Sequence, residues 1–100
     1  MPVYMLLDIE VHDPETYARY VEQAPATVAE HGGRYLVRGG NPKPLTGGWE
    51  PARIVLIEFP SAEHLQRWAD SPEYQEILPL RLKAATGTVA IVEGISAGPT

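Results

Sequence analysis

Residues 7 to 20, Leu-Asp-Ile-Glu-Val-His-Asp-Pro-Glu-Thr-Tyr-Ala-Arg-Tyr, are echoed without a gap by residues 55 to 68, Val-Leu-Ile-Glu-Phe-Pro-Ser-Ala-Glu-His-Leu-Gln-Arg-Trp. The echo aligns Ile9 with Ile57, Glu10 with Glu58, Glu15 with Glu63 and Arg19 with Arg67, and sets Asp13 beside Ser61 and Tyr20 beside Trp68. Each copy reads as a strand followed by a capped helix. Two such units make a duplicated βαβ plan inside one domain, because a solenoid needs more stacked copies than two.

Alternation marks the first strand over Val3 to Val11, with Val3, Met5, Leu7, Ile9 and Val11 on one face and Tyr4, Leu6, Asp8 and Glu10 on the other. Asp13 before Pro14 then signals a helix start, since the carboxylate accepts from free amides where proline has none to offer. Tyr17, Tyr20, Val21, Ala24 and Val28 keep helical spacing, Pro25 predicts a kink or split, and Gly32 predicts a left-handed cap. Arg34 to Gly39 reads as the second strand, with Tyr35 and Val37 opposed to Arg34, Leu36 and Arg38. The stretch Gly39 to Pro51 is too rich in Gly and Pro for a strand or continuous helix and reads as a long loop. Ala52 to Phe59 is the third strand, with Arg53, Val55, Ile57 and Phe59 on one side and Ile54, Leu56 and Glu58 on the other.

Ser61 caps a helix ending near Asp70, and Ser71-Pro72 repeats the signature for a further helix through Tyr74, Ile77, Leu78 and Arg81, with Pro79 expected to disturb it. Thr88 to Glu93 is the last strand. The expected architecture is therefore α+β: a ferredoxin-like split βαβ, with a four-stranded antiparallel sheet and helices on one face. Residues 1–95 form a single domain and 96–100 a C-terminal tail. Helices can cover only one side of this sheet, yet the other side carries Tyr4, Leu6, Leu36, Ile54 and Leu56. Burying such side chains is worth about 1.5–3 kcal/mol each, which predicts a face-to-face homodimer.

Composition excludes several classes of function. A net charge of −5 with only 8 scattered Lys and Arg argues against nucleic acid as a partner. No apolar run approaches the ~20 residues of a membrane span, and the N-terminus lacks the basic region of a signal peptide. Cysteine is absent, so disulfides, thiolate metal sites and thiol catalysis are excluded, and a cytoplasmic location is expected. His12, His31 and His64 show no zinc-ligand spacing, and neither a metal nor a cofactor is expected.

The strand end Asp8-Ile9-Glu10, the helix start Asp13-Pro14-Glu15, the run Gly33-Arg34-Tyr35-Leu36-Val37-Arg38-Gly39, the run Ile57-Glu58-Phe59-Pro60 and the segment Trp68 to Tyr74 together resemble the family of small proteins known as domain of unknown function 1330, within the dimeric α+β barrel superfamily. The resemblance spans residues 2 to 95. It implies a ferredoxin-like protomer and a homodimer, and no particular activity. The superfamily is similar in fold to cofactor-free monooxygenases, isomerases, haem-dependent peroxidases and non-catalytic stress proteins, and fold does not choose among them.

Two constellations stand out. By parity Asp8, Glu10, Arg34, Arg38 and Glu58 share the face away from the helices. They read either as an anion-recognising, acid–base cluster, with Arg38, Glu10 and Glu58 as catalytic candidates beside His31, or as an interfacial salt-bridge network. The second set, Tyr35, Trp68 and Tyr74 with Arg38, would bind a small organic ligand near the seam between sheet and helices, with His31 as a proton carrier. The bland reading is core packing for Trp68 and a helix-end position for His31. Two functions stay open: an uncharacterised small-molecule-binding or structural dimer, or a cofactor-independent monooxygenase or isomerase acting on small organic acids or phenols.

Overall fold

The computed structural model describes residues 1–95; the expected tail, residues 96–100, lies outside the described residues. Strand β1 (Val3–Val11) leads into helix α1 (Pro14–Glu30), strand β2 (Arg34–Gly39), strand β3 (Ile54–Phe59), helices α2 (Ala62–Asp70) and α3 (Pro72–Ala84), and strand β4 (Ala85–Glu93). The four strands form one antiparallel sheet in the order β2-β3-β1-β4. The echoed strands β1 and β3 are thus the central pair, as a duplicated split βαβ plan requires. Two expected bounds differ. Residues 52 and 53 precede β3, while β4 begins at Ala85, because backbone pairing of Val11 with Ala85 continues the ladder beyond the apolar run.

Local chemistry sets the helix ends. Asp13 Oδ1 accepts from the Thr16 amide, Ser61 Oγ from the His64 amide and Ser71 Oγ from the Tyr74 amide, each at 3.2 Å. Helix α1 closes with the amides of Gly32 and Gly33 donating back to the carbonyls of Ala29 and Val28, and Gly32 sits at φ 78°. A side chain at Gly33 would strike Phe59 and Val28, at 2.7 and 2.8 Å from an added Cβ. Neither Pro25 nor Pro79 splits its helix. Ala24 and Val28 are each 1 % exposed on either side of Pro25, so core packing holds the helix together across the missing hydrogen bond.

The core lies between the helices and one sheet face. Val3, Met5, Leu7 and Ile9 of β1 and Val55, Ile57 and Phe59 of β3 meet Tyr17, Tyr20, Ala24 and Val28 of α1, Leu65 and Trp68 of α2, and Tyr74, Ile77 and Ala84 of α3. Trp68 ties these layers together. Its ring centroid lies 4.0 Å from that of Tyr74 and 5.4 Å from that of Phe59, and its indole N–H donates to Thr27 Oγ1 at 3.0 Å. Thr27 passes the chain on by donating to the Ala24 carbonyl at 2.8 Å.

One strand departs from simple alternation. Tyr35 pairs with Ile57, but Val37 pairs with Leu56 and Arg38 with Val55, so β2 carries a bulge with Leu36 as its extra residue. The slip reverses every later side chain on β2. Val37 joins Leu56 on the open face, and Arg38 turns to the helix side with Tyr35 and Val55. The expected placement of Arg38 among Asp8, Glu10, Arg34 and Glu58 is therefore overturned.

Between β2 and β3 the loop is anchored by Asp8. The Trp49 indole N–H donates to Asp8 Oδ2 and the Ala52 amide to Oδ1, both at 3.0 Å. These two donors hold the Asp8 carboxyl below its usual pKa, the indole contributing most. A depressed folded-state pKa means that the carboxylate's contribution to stability is present above about pH 3.9 and is lost as pH falls through the lower folded value. Acidification below about pH 3.9 is therefore expected to release the loop, with Trp49 fluorescence and Ala52 amide exchange as the readouts. Asp8→Asn should show the released state already at neutral pH. Unchanged Ala52 exchange in that variant would refute the anchor.

Candidate functional site

Sequence parity placed five charged residues together, and the structure separates them into three groups. Arg34 Nε donates to Glu58 Oε1 at 2.7 Å at one end of the open sheet face. Arg34 and then Tyr4 hold the Glu58 carboxyl below its ordinary pKa by hydrogen bonding. Toward the other end, Asp8 grips the long loop, and Glu10 lies with Glu50 and Thr86 on an open polar surface. Tyr4, opposite Glu58, stands six residues from Glu10, about 20 Å along an extended strand. Glu10 and Glu58 therefore do not form one acid–base pair within the protomer. His31 closes α1, its Nδ1–H donating to the Thr27 carbonyl at 3.0 Å, and it does not border the cavity described next.

Arg38 belongs to a different constellation. A narrow cavity of about 20 Å³ lies between α1, α3 and the sheet. Its apolar walls come from Met5, Leu7, Val55 and Ile57, and its aromatic walls from Tyr17, Tyr20, Tyr35 and Trp68. Among the described residues Arg38, Arg53 and Arg81 supply its only charges, and no Asp or Glu lines it. The volume is that of about one water. Arg38 Cζ lies 5.5 Å from the Tyr35 ring centroid and Arg53 Cζ 5.6 Å from that of Tyr17.

The elements explain this convergence. Arg38 enters because the Leu36 bulge turns it inward. Arg53 continues the inward parity of Val55, Ile57 and Phe59, one residue before β3 begins. Arg81 lies in the last turn of α3, one turn beyond the buried Ile77. Beside them Pro25 lacks an amide to donate to the Val21 carbonyl, and both residues border the cavity. The Nε atoms of Arg53 and Arg81 are buried without a hydrogen-bond partner among the described residues. An unmatched buried donor costs about 1–3 kcal/mol.

The phenols of Tyr20 and Tyr35 stay neutral. Burial, with smaller effects from neighbouring tyrosines, pushes Tyr35 up to about 12 while Arg38 and Arg53 pull the other way. Burial likewise raises Tyr20, whose hydroxyl shares a 2.9 Å hydrogen bond with that of Tyr74. Of the expected ligand-binding residues, Tyr35, Arg38 and Trp68 line the cavity. Tyr74 stands behind them against Trp68 and Tyr20. Arg53, Arg81, Tyr17 and Tyr20 were not singled out from the sequence. The available signal was an arginine at a core-facing position, Arg53 by strand parity and Arg81 by helical spacing.

Among the described residues no cluster of His, Asp or Glu could hold a metal, and no helix is long and apolar enough to cross a membrane. The arrangement is suited to holding a flat anion against aromatic faces. Among the described residues no histidine or carboxylate lines the cavity to move a proton within it.

Several solved structures share the fold. RPA0582, a protein of unknown function from Rhodopseudomonas palustris, is 19% identical, with a TM-score of 0.79 over 95% of this chain and 83% of its own. SnoaB, a cofactor-independent oxygenase from Streptomyces nogalater, is 14% identical, with a TM-score of 0.69 over 99% of this chain and 98% of its own. A dimeric ferredoxin-like protein of unknown function from Jannaschia sp. CCS1 is 15% identical, with a TM-score of 0.65 over 94% of this chain and 100% of its own. No curated protein shows significant sequence similarity to the chain. At these identities the structural likeness speaks to fold alone. Sequence is more specific: across residues 2–95 the chain matches, and belongs to, the family described as domain of unknown function (DUF1330).

Proposed function

We propose that the protein is a homodimer whose protomers each bind a small planar organic anion, an aromatic carboxylate or phenolate, in the cleft between α1, α3 and the sheet. The observation that carries this reading is the convergence of Arg38, Arg53 and Arg81 on an aromatic cavity that no carboxylate lines among the described residues, in a chain with 13 acidic and 8 basic residues. Guanidinium pairs with carboxylate through two parallel hydrogen bonds. The tyrosine and tryptophan rings match an aryl body. An entering ring would displace Arg38 and Arg53 from Tyr35 and Tyr17, contacts worth about 0.5–1 kcal/mol each near a surface, and would give the buried Nε atoms an acceptor.

The open sheet face supports the homodimer. Tyr4, Leu6, Ile54 and Leu56 are only half-buried there in the single chain, and Val92 is exposed. A second copy supplies a self-complementary cover, and a protein of the same fold is described as dimeric. The cofactor-independent monooxygenase reading has its own support in the same arginines, since cations beside a bound phenol favour its electron-rich phenolate. Dioxygen consumption by the protein with a bound phenol would select it over simple binding.

Benzoate is expected to raise the melting midpoint of the wild type in a concentration-dependent way, by about 1.4 kcal/mol of stability at ten times the dissociation constant. Arg38→Lys should lose most of that shift, because the ammonium cannot reproduce the planar fork. Arg34→Lys, altered at the Glu58 pair on the other face, should keep it. Absence of any shift with benzoate, salicylate or phenol in the wild type would rule out the anion site.

Light scattering should give a mass of about twice 11.0 kDa at micromolar concentration. Leu56→Asp, which puts a carboxylate on the open face, should yield monomers with the helical signal retained. Ile57→Asp should instead unfold the protomer, because Ile57 is 3 % exposed inside the core. A monomeric wild type would overturn the dimer.

A further inference from the structure

The number of charges in the cavity says more about its ligand than their sign does. Arg53 comes off the sheet wall, one residue before β3, and Arg81 off the helix wall, from the last turn of α3. Each buries an Nε that has no partner among the described residues. Arg38 differs from both, being exposed at the rim of the same cavity with its guanidinium over Tyr35. Water can solvate Arg38, so its charge tolerates an empty site. Arg53 and Arg81 are half-buried, and their Nε atoms are closed off from water.

We infer that the ligand is a dianion, a single planar ring bearing two separate acidic groups, one taken by Arg53 with Arg38 and the other by Arg81. The inference rests on the anion-binding reading and adds the number and placement of the charges. A ligand with one acidic group would leave one of the two enclosed Nε donors without an acceptor, in a cleft whose other lining is aromatic or apolar. A buried donor left without an acceptor is costly even when the rest of its group is solvated. Two acceptors on one ring would satisfy donors that project from facing walls. The rings of Tyr17, Tyr20, Tyr35 and Trp68 line the space between those walls and offer faces for a ring to stack on. A phosphate monoester concentrates its charge on one centre and answers the two walls less well. A single-ring dicarboxylate, or a hydroxybenzoate ionised at both groups, has the required form.

Isophthalate and benzoate test this directly, because they share a ring and differ by one carboxylate. Calorimetric titration of the full chain is expected to show isophthalate binding at least about tenfold tighter than benzoate, as one added charged hydrogen-bonded pair implies. In Arg81→Met that preference should fall to about twofold or less, with benzoate affinity changed little. The same variant without ligand should melt about 5 °C higher than the wild type, since an unmatched buried donor has been removed. Arg81→Lys keeps the charge without the fork and should retain an intermediate preference.

Equal affinity for the two compounds would overturn the dianion while leaving the anion site standing. Binding of neither would remove the anion site itself. A ligand-free Arg81→Met that melts several degrees lower, or does not fold, would make Arg81 a structural group and overturn the inference. An unchanged isophthalate preference in Arg81→Lys and Arg81→Met alike would do the same.

Discussion

The indole of Trp68 touches every layer of the protomer. It leans on Phe59 of β3 and on Tyr74 of α3, belongs to α2, and donates its N–H to Thr27 of α1. An aromatic side chain contributes both a large apolar area and a directional donor. In this position the area joins helices to sheet, and the donor sets where α1 sits along its axis. Tyr20 is drawn into the same group through its hydroxyl contact with Tyr74. Because Trp68, Tyr20 and their neighbours form one continuous surface, the cavity beside them inherits rigid aromatic walls from the core.

Against those walls the three arginines stand out energetically. Elsewhere on the protein two arginines meet acids at the surface, Arg34 meeting Glu58 and Arg67 meeting Glu63. Arg38 and Arg53 rest instead on tyrosine faces. A fold selected for stability alone would place apolar or paired side chains there. Local departures from the folding rules gather at sites that have another task. The bulge at Leu36 belongs to the same pattern, since one extra residue in an edge strand is what turns Arg38 toward the rings.

The opposite sheet face obeys a different constraint. Helices occupy one side only, so the alternating side chains of β1 and β3 leave Tyr4, Leu6, Ile54 and Leu56 without cover in the single chain. Polar groups divide this face into two ends. Glu58 with Arg34 and Tyr4 lies at one, and Asp8 with the Trp49 loop lies at the other. The carboxylate of Asp8 spends its acceptors on the loop. Its role there is positional, and it fixes where the chain re-enters the sheet at β3.

Much of this was legible in the residues alone. The echo between residues 7–20 and 55–68 placed β1 and β3 as equivalent strands, and the Asp13-Pro14, Ser61 and Ser71-Pro72 signatures located three helix starts, because capping is a local matter of one side chain and a few amides. Alternation assigned Leu56 and Ile57 to opposite faces for the same reason: strand geometry repeats every two residues. The persistence of α1 through Pro25 was not legible, since tertiary burial of Ala24 and Val28 outweighs a local loss. Nor was the bulge. Arg-Tyr-Leu-Val-Arg-Gly alternates in sequence whether or not Leu36 is paired, and only the register against β3 reveals the slip. Arg53 and Arg81 lie 28 residues apart in the chain, and nothing local links them. The sequence by itself determined the split βαβ plan, the caps and the inward face of each central strand, because these depend on neighbours along the chain. Only the tertiary structure decided that Arg38 joins Arg53 and Arg81 rather than Glu58, because that choice depends on the pairing of two strands and the docking of a distant helix.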